Sequence, residues 1–239
     1  MNRQKFFSRW AVVITIMLAS QIIYAENGAR IFLEKININT RDQASLLRGA
    51  KFYAQNCMVC HTMKYLENDK LARQGGITLD KMPLKQTQWW LNIVPPDLTL
   101  LAKRRQPDWI YTYLHAFYKD ATRPTGYNNL LVKDVNMPNI LVPFQGEQEL
   151  KPDGQQLLAE TKIYKLHYYS VLEMTKSGSM TPEEFDTTIM DLVNFFVYAA
   201  EPDRLQRIYI GVGVVLFLII FFVIAFFLKK SYWKNISQE

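Results

Sequence analysis

From Ile208 to Leu228 the chain runs for 21 residues without a charged side chain. As an α-helix rising ~1.5 Å per residue, that stretch spans roughly 31 Å, the thickness of a bilayer's hydrocarbon layer. A helix satisfies its own backbone polar groups, and here it offers almost only apolar side chains to its surroundings. The run therefore predicts a transmembrane helix near the C-terminus. Lys229, Lys230 and Lys234 follow at once, with Tyr232 and Trp233 as interfacial anchors, so the positive-inside rule puts the tail in the cytoplasm. Arg204 and Arg207 on the other flank weaken that asymmetry.

A shorter apolar run, Trp10 to Ile23, lies behind Arg3, Lys5 and Arg9 and ends at Tyr24-Ala25. This is the pattern of a secretory signal peptide cut after Ala25, and the run is short for an anchor. The expected division is a signal peptide over 1–25, an exported domain over 26–203, a membrane anchor with its flanks over 204–230 and a cytoplasmic tail over 231–239. The net charge of +6 follows the same plan. Residues 1–25 carry three basic and no acidic side chains, 26–203 carry 20 basic against 21 acidic, and 204–239 carry five basic against one acidic. The basicity borders the two apolar runs and the domain between them is balanced, which argues against a nucleic-acid partner.

The exported domain reads as mainly α. After Thr40-Arg41-Asp42, Leu46, Leu47, Ala50, Tyr53, Ala54 and Cys57 recur at helical spacing, and Gly49 would admit a second helix at close approach. Thr181, Pro182 and Glu184 form a capping box that opens a stripe of Phe185, Ile189, Leu192, Val193, Phe196, Ala199 and Ala200, closed by Glu201-Pro202. Residues 108–118 form a third candidate helix. Long stretches rich in Pro, Gly and Asn at 74–99 and 121–156 need something other than regular structure to organise them.

The two cysteines of the chain fall in Cys57-Met58-Val59-Cys60-His61. Two thiols one helical turn apart can form thioethers with the two vinyl groups of one porphyrin, and the next residue then presents an imidazole to the iron. This spacing is that of c-type haem attachment. A thioredoxin-like pair would sit at a helix start after a strand, whereas this pair ends a helix. A zinc site would need further ligands at suitable spacing. A six-coordinate iron needs a second axial ligand, and methionine is the usual partner in cytochromes c. Outside the signal and the motif itself, Met63, Met82, Met137, Met174, Met180, Met190, His115 and His167 are available, and spacing does not choose among them. Met63 is too close to His61 to reach the opposite ring face. Met190 belongs to the last helix of the domain. Met137 precedes Pro138 in a loop where the proline holds the backbone extended.

Four features together resemble the cytochrome c1 family, the haem subunits of the quinol:cytochrome c oxidoreductase. They are the Cys57–His61 motif, Pro95-Pro96-Asp97-Leu98 followed by Lys103-Arg104-Arg105, Met137-Pro138, and Ala199-Ala200-Glu201-Pro202 before the anchor. The resemblance spans the whole chain. It implies a class I cytochrome c-like haem domain with long loop insertions and one C-terminal transmembrane helix. It also implies one covalent haem c bound by Cys57, Cys60, His61, Arg105 and Met137. His61 and Met137 would be the iron ligands and Arg105 the partner of a propionate. Trp89 and Trp90, with Pro95 to Leu98, would wall the haem. The implied partners are a cytochrome b subunit, a Rieske iron–sulfur subunit and a soluble periplasmic cytochrome c, in a dimeric complex of the bacterial inner membrane. The chain would carry electrons for that complex and catalyse no bond-making step by itself. Two alternatives are a membrane-anchored monohaem cytochrome of another oxidase or reductase and a periplasmic thiol oxidoreductase. Glu147, Glu149, Asp153, Glu183, Glu184 and Asp186 read as a solvated acidic face that could steer a basic partner.

Overall fold

The computed structural model describes residues 31–83, 93–160 and 166–233. The expected signal peptide, Trp89, Trp90 and Lys234 lie outside the described residues. In chain order the elements are α1 (Gln43–Asn56), α2 (Lys70–Gln74), α3 (Leu101–Arg104), α4 (Pro107–His115), β1 (Phe117–Lys119), β2 (Tyr127–Asn129), α5 (Val142–Gln145), β3 (Gly146–Leu150), α6 (Gly154–Glu160), α7 (Tyr168–Val171), β4 (Leu172–Ser177), α8 (Pro182–Ala200) and α9 (Arg204–Trp233).

The domain is built on the crossing of α1 and α8. Asp42 caps α1 by accepting from the amides of Ala44 and Ser45, at 3.0 and 3.1 Å. The capping box of α8 forms as the residues predict: the Thr181 amide donates to Glu184 and the Glu184 amide donates to the Thr181 hydroxyl. Leu46, Ala50 and Tyr53 of α1 pack with Phe185, Ile189, Leu192, Val193 and Phe196 of α8 into the main core, which Ile110, Tyr111 and Leu114 of α4 extend. A polar latch lies inside this crossing. Asp191 accepts from the Ser45 hydroxyl at 2.6 Å and from the Arg48 guanidinium at 2.5 and 3.1 Å, and Asn194 donates to Ser45 Oγ.

The structure departs from the helical reading of 108–118. Helix α4 stops at His115, and the chain turns at Ala116 into β1, which pairs antiparallel with β2. Ala116 and Phe117 are fully buried in a position where the strand, and not another helical turn, supplies the hydrogen bonds. Two buried amides complete the exchange: Gln148 donates to the carbonyls of His115 and Phe117, and Gln145 to that of His115. The expected loop over 121–156 holds β2, α5 and β3, and β3 pairs antiparallel with β4, from which α6 and α7 separate it in the chain. Gly146 adopts φ 107° at the start of β3, where a Cβ would lie 2.1 Å from the Lys176 carbonyl oxygen. The domain remains mainly helical, with the two strand pairs as its insertions.

Within α9, Gln206–Trp233 is long and apolar enough to cross a membrane. Its Ile, Leu, Val and Phe side chains are exposed along its length, so it is no core helix of the domain.

Gly49 is where the two helices touch most closely: a Cβ there would stand 2.1 Å from the Asp191 carbonyl oxygen and 2.9 Å from Phe195 Cβ. Since that oxygen belongs to a helix backbone, it cannot turn aside. Gly49→Ala is expected to cost about 3 kcal/mol, the upper end for overpacking, and to lower the midpoint of thermal unfolding by roughly 6–12 °C. Thermal unfolding followed by circular dichroism checks this, and an unchanged midpoint would contradict the packing described.

Candidate functional site

Cys57 caps the end of α1, and the chain continues winding for one more turn. The amides of Cys57 and Met58 donate to Tyr53 O, and those of Cys60 and His61 donate to Cys57 O, at 2.8 to 3.1 Å. Both thiols are thus held on one side of a tight turn with His61 directly after it. Tyr53 fixes this turn to the core. Its ring is fully buried among Phe195 and Phe196 of α8, and its hydroxyl donates to the His61 carbonyl at 2.8 Å.

His61 is oriented from the opposite wall. Its Nδ1 lies 2.8 Å from the Pro96 carbonyl oxygen. A carbonyl only accepts, so Nδ1 carries the proton and Nε2 keeps its lone pair. Burial holds the His61 pKa below the ordinary imidazole value, against the opposing pull of the Pro96 bond and Asp97, so the ring is neutral. Asp97 ties the same two segments together. Its carboxylate accepts from the Thr62 hydroxyl at 2.7 Å and from the amides of Lys64 and Thr99 at 3.0 and 2.9 Å, while the Leu98 amide donates to Thr62 O.

Met137 lines an apolar pocket together with these residues. The lining comprises Asn56, Cys57, Cys60 and His61, then Ile93, Pro95 and Pro96, and Asn136, Met137, Pro138 and Ile140. The pocket encloses about 560 Å³ of space, part of it open to solvent, and its walls are almost wholly apolar. Its loop is pinned on the far side, where Arg123 donates to the Asp134 carbonyl at 2.8 Å and to Asn136 Oδ1, around an Asp134 backbone at φ 57°. The Tyr113 hydroxyl of α4 lies 3.5 Å from Met137 Sδ.

The rival methionines and histidines are engaged elsewhere. Met63 and Met82 are buried in the core, Met180 and Met190 pack against it, and Met174 is exposed on β4. His115 has both ring nitrogens occupied, Nδ1 on Tyr111 O and Nε2 on Asp186, and His167 pairs with Glu34. Arg105, the residue after α3, does not line the pocket. Its guanidinium sits 4.6 Å above the Trp109 ring, which stacks on Tyr113 at 5.0 Å. Arg105, Trp109, Tyr113 and Phe117 follow one another at four-residue spacing, a signal that could have singled out Tyr113 from the sequence.

The residues fit a c-type haem: two neighbouring thiols, an imidazole nitrogen with a free lone pair, a thioether lining the same pocket, and apolar walls. They fit a reactive thiol pair poorly. Burial, with Cys60 nearby, pushes the Cys57 thiol up to about 12, and Cys60 is also raised, where a redox or nucleophilic cysteine needs a depressed value. Among the described residues no group of three His, Cys, Asp or Glu side chains could hold a metal ion of its own.

Comparison with known proteins agrees with this chemistry. The family model of the cytochrome c1 family matches residues 32–90 and 90–236. The chain belongs to the cytochrome c1 family, and so is a c-type cytochrome of electron transport with a class I cytochrome c-like fold. It is 37% identical to a cytochrome c1 of Allochromatium vinosum, over 95% of this chain and 99% of that one. It is 34% identical to a protein of Nitrosomonas europaea named ammonia monooxygenase gamma subunit, over 94% of this chain and 97% of that one. A cytochrome c1 of Rhodobacter capsulatus is 22% identical over 83% of this chain. Family membership and the exposed apolar helix α9 fit a membrane-anchored protein.

Asp97 joins the two sides of the site. Burial alone would raise its pKa, but the bonds from Thr99, Lys64 and Thr62 together hold it below the ordinary carboxylate value. Its stabilisation is therefore complete above roughly pH 4 and fades as the pH falls through the lowered folded-state value. Asp97→Asn is expected to lower stability at pH 7 by about 1–3 kcal/mol, with the gap narrowing on acidification. Denaturant midpoints at pH 7 and near pH 3 measure it; a gap that widens in acid would overturn the assignment.

Proposed function

We propose that this chain is a membrane-anchored c-type cytochrome with one haem c. The Cys57 and Cys60 sulfurs would tether the haem, and His61 Nε2 and Met137 Sδ would hold its iron. The observation that carries this reading is the meeting of those four side chains at one apolar pocket, with the Pro96 carbonyl fixing the histidine tautomer. Bound there, haem iron supplies one-electron exchange between its ferric and ferrous states. The chain's own part is to hold the ligands in place and exclude water. Tyr53 and the α1 turn set the two thiols; Pro96 aims the imidazole; Pro95, Pro96, Pro138 and Ile140 keep the site dry. A thioether ligand favours ferrous iron and raises the potential, which suits a carrier that takes electrons released by quinol oxidation. Arg105 is assigned to a propionate on the strength of the family resemblance, and it is joined to the methionine side of the pocket through Trp109 and Tyr113.

In this reading the chain accepts an electron from a Rieske iron–sulfur subunit and passes it to a soluble periplasmic cytochrome c. It works beside a cytochrome b subunit in a dimeric quinol:cytochrome c oxidoreductase. Residues 1–25 are removed on export, 26–203 form the periplasmic haem domain, and 204–230 anchor it in the bacterial inner membrane. Residues 231–239 then remain in the cytoplasm. A relative named cytochrome b/c1, 23% identical over 81% of this chain, joins both names in one protein and supports the cytochrome b partnership. One observation favours a second reading, service to another oxidase or reductase: the name of the Nitrosomonas europaea relative.

Replacing both Cys57 and Cys60 by Ala should abolish haem staining after denaturing electrophoresis, and unchanged staining would remove the haem assignment. Purification from native membranes separates the two readings. Cytochrome b and Rieske subunits should accompany the chain, and their absence beside a different oxidoreductase would favour the second. For topology, a reporter active only in the periplasm should work when fused near residue 170 and be silent after Glu239; the opposite pattern inverts the orientation.

A further inference from the structure

Met137 lies in a loop between Val135 and Pro138, and methionine has three rotatable bonds, so a contact that fixes the direction of its sulfur matters. The fold meets this from behind. Tyr113 stands outside the lining of the pocket and directs its phenol oxygen to 3.5 Å from Met137 Sδ. The contact is one-directional, because a thioether has no proton to give: the hydroxyl donates and the sulfur accepts.

Tyr113 is well placed to act as a fixed point. Its ring lies parallel to Trp109, 9° apart and 5.0 Å between centroids, and meets the edge of Phe117 at 5.1 Å. Its backbone carbonyl accepts from the Asn129 side chain at 2.8 Å, which ties the end of α4 to β2. Each of these contacts restricts the ring, and none of them consumes the hydroxyl proton.

We propose that Tyr113 is a positioning residue for Met137. Its hydroxyl occupies one lone pair of the sulfur, turns the other toward the pocket, and by withdrawing density from the sulfur sets the potential of the centre. This rests on the reading of Met137 as an axial ligand. The sign follows from the chemistry of the pair. A hydrogen-bonded thioether donates less to iron, and the electron-poor ferric state loses more from that than the ferrous state, so the bond raises the potential. Removing it lowers the potential. A tyrosine that served only as core filler would give a different result, since phenylalanine keeps the ring, its stack on Trp109 and its edge contact with Phe117.

The test uses the full-length holoprotein in detergent. Tyr113→Phe is expected to retain covalent haem and the near-infrared sulfur-to-iron band of the ferric state. It should shift the ferric/ferrous equilibrium about threefold to tenfold toward ferric, read as a fall in midpoint potential at ~59 mV per tenfold for a one-electron couple. The band should also be lost at a lower pH than in the parent. Incorporation of 3-fluorotyrosine at position 113 keeps the ring and strengthens the donor, so it should move the potential in the opposite direction. An unchanged potential in Tyr113→Phe with the band intact overturns the proposal. If that variant does not accumulate, the fluorotyrosine protein decides alone, and no upward shift there overturns it. Met137→Leu separates the two layers. Loss of the band in Met137→Leu together with an unmoved potential in Tyr113→Phe removes only the role of Tyr113. Survival of the band in Met137→Leu removes the axial assignment and this proposal with it.

Discussion

The contact between Gly49 and the backbone of Asp191 is the one on which the rest of the domain depends. Missing a side chain at Gly49, α1 comes so close to α8 that a polar cluster of Ser45, Arg48, Asp191 and Asn194 can close inside the crossing. A partly buried cluster of this kind is weak as a source of stability but strict in its geometry, because Asp191 must meet Ser45 and Arg48 while Ser45 also accepts from Asn194. It fixes the register of the two helices. From that register Tyr53 falls among Phe195 and Phe196, and its hydroxyl determines where the His61 carbonyl stands. The backbone at His61 is therefore held by a helix crossing about three turns of chain away, while the Pro96 carbonyl orients its ring.

The other walls of the pocket come from segments without regular structure, and each is fastened by a single polar side chain to something more rigid. Asp97 ties the Pro95–Leu98 segment to the residues just after His61. Arg123 ties the Met137 loop to its own base at Asp134. The pocket is apolar where a porphyrin would lie and polar just behind, which keeps water out while leaving few buried groups without partners. This is also why the prolines are useful there: with no amide hydrogen to satisfy, Pro95, Pro96 and Pro138 can face an apolar cavity directly.

How much of this was legible in the chain depends on the range of the forces involved. Helices α1 and α8 show themselves because their stripes and caps are local, and the capping box of Thr181 and Glu184 forms as read. The run after Arg207 shows itself through length and apolarity alone. The end of α4 does not, because Ala116 and Phe117 are compatible with helix, and only the amides of Gln145 and Gln148, some thirty residues later, make strand the better state. Both strand pairs belong to this class: strands of three to six residues carry little periodicity, and their pairing is decided by tertiary contacts. Methionine choice is the same problem at the level of a site. Nothing local separates Met82 or Met180 from Met137; folding does so by burying the first two in or against the core and leaving the third at the pocket.

At the membrane end the geometry is set by chain connectivity more than by charge. Only Glu201, Pro202 and Asp203 separate α8 from α9. Glu201 is shared between Lys103, which follows the Pro95–Leu98 wall, and Arg207 on the anchor helix. Pairs this open to solvent contribute little and weaken with salt, so they are poor candidates for holding the domain at a fixed height. A three-residue joint is different. Pro202 has a fixed φ and cannot extend α8, so the link has few conformations and little reach. The helix that carries the core contacts of the cysteine motif is thus followed after three residues by the long apolar helix α9, and so short a joint leaves the start of α9 little freedom to move away from the end of α8.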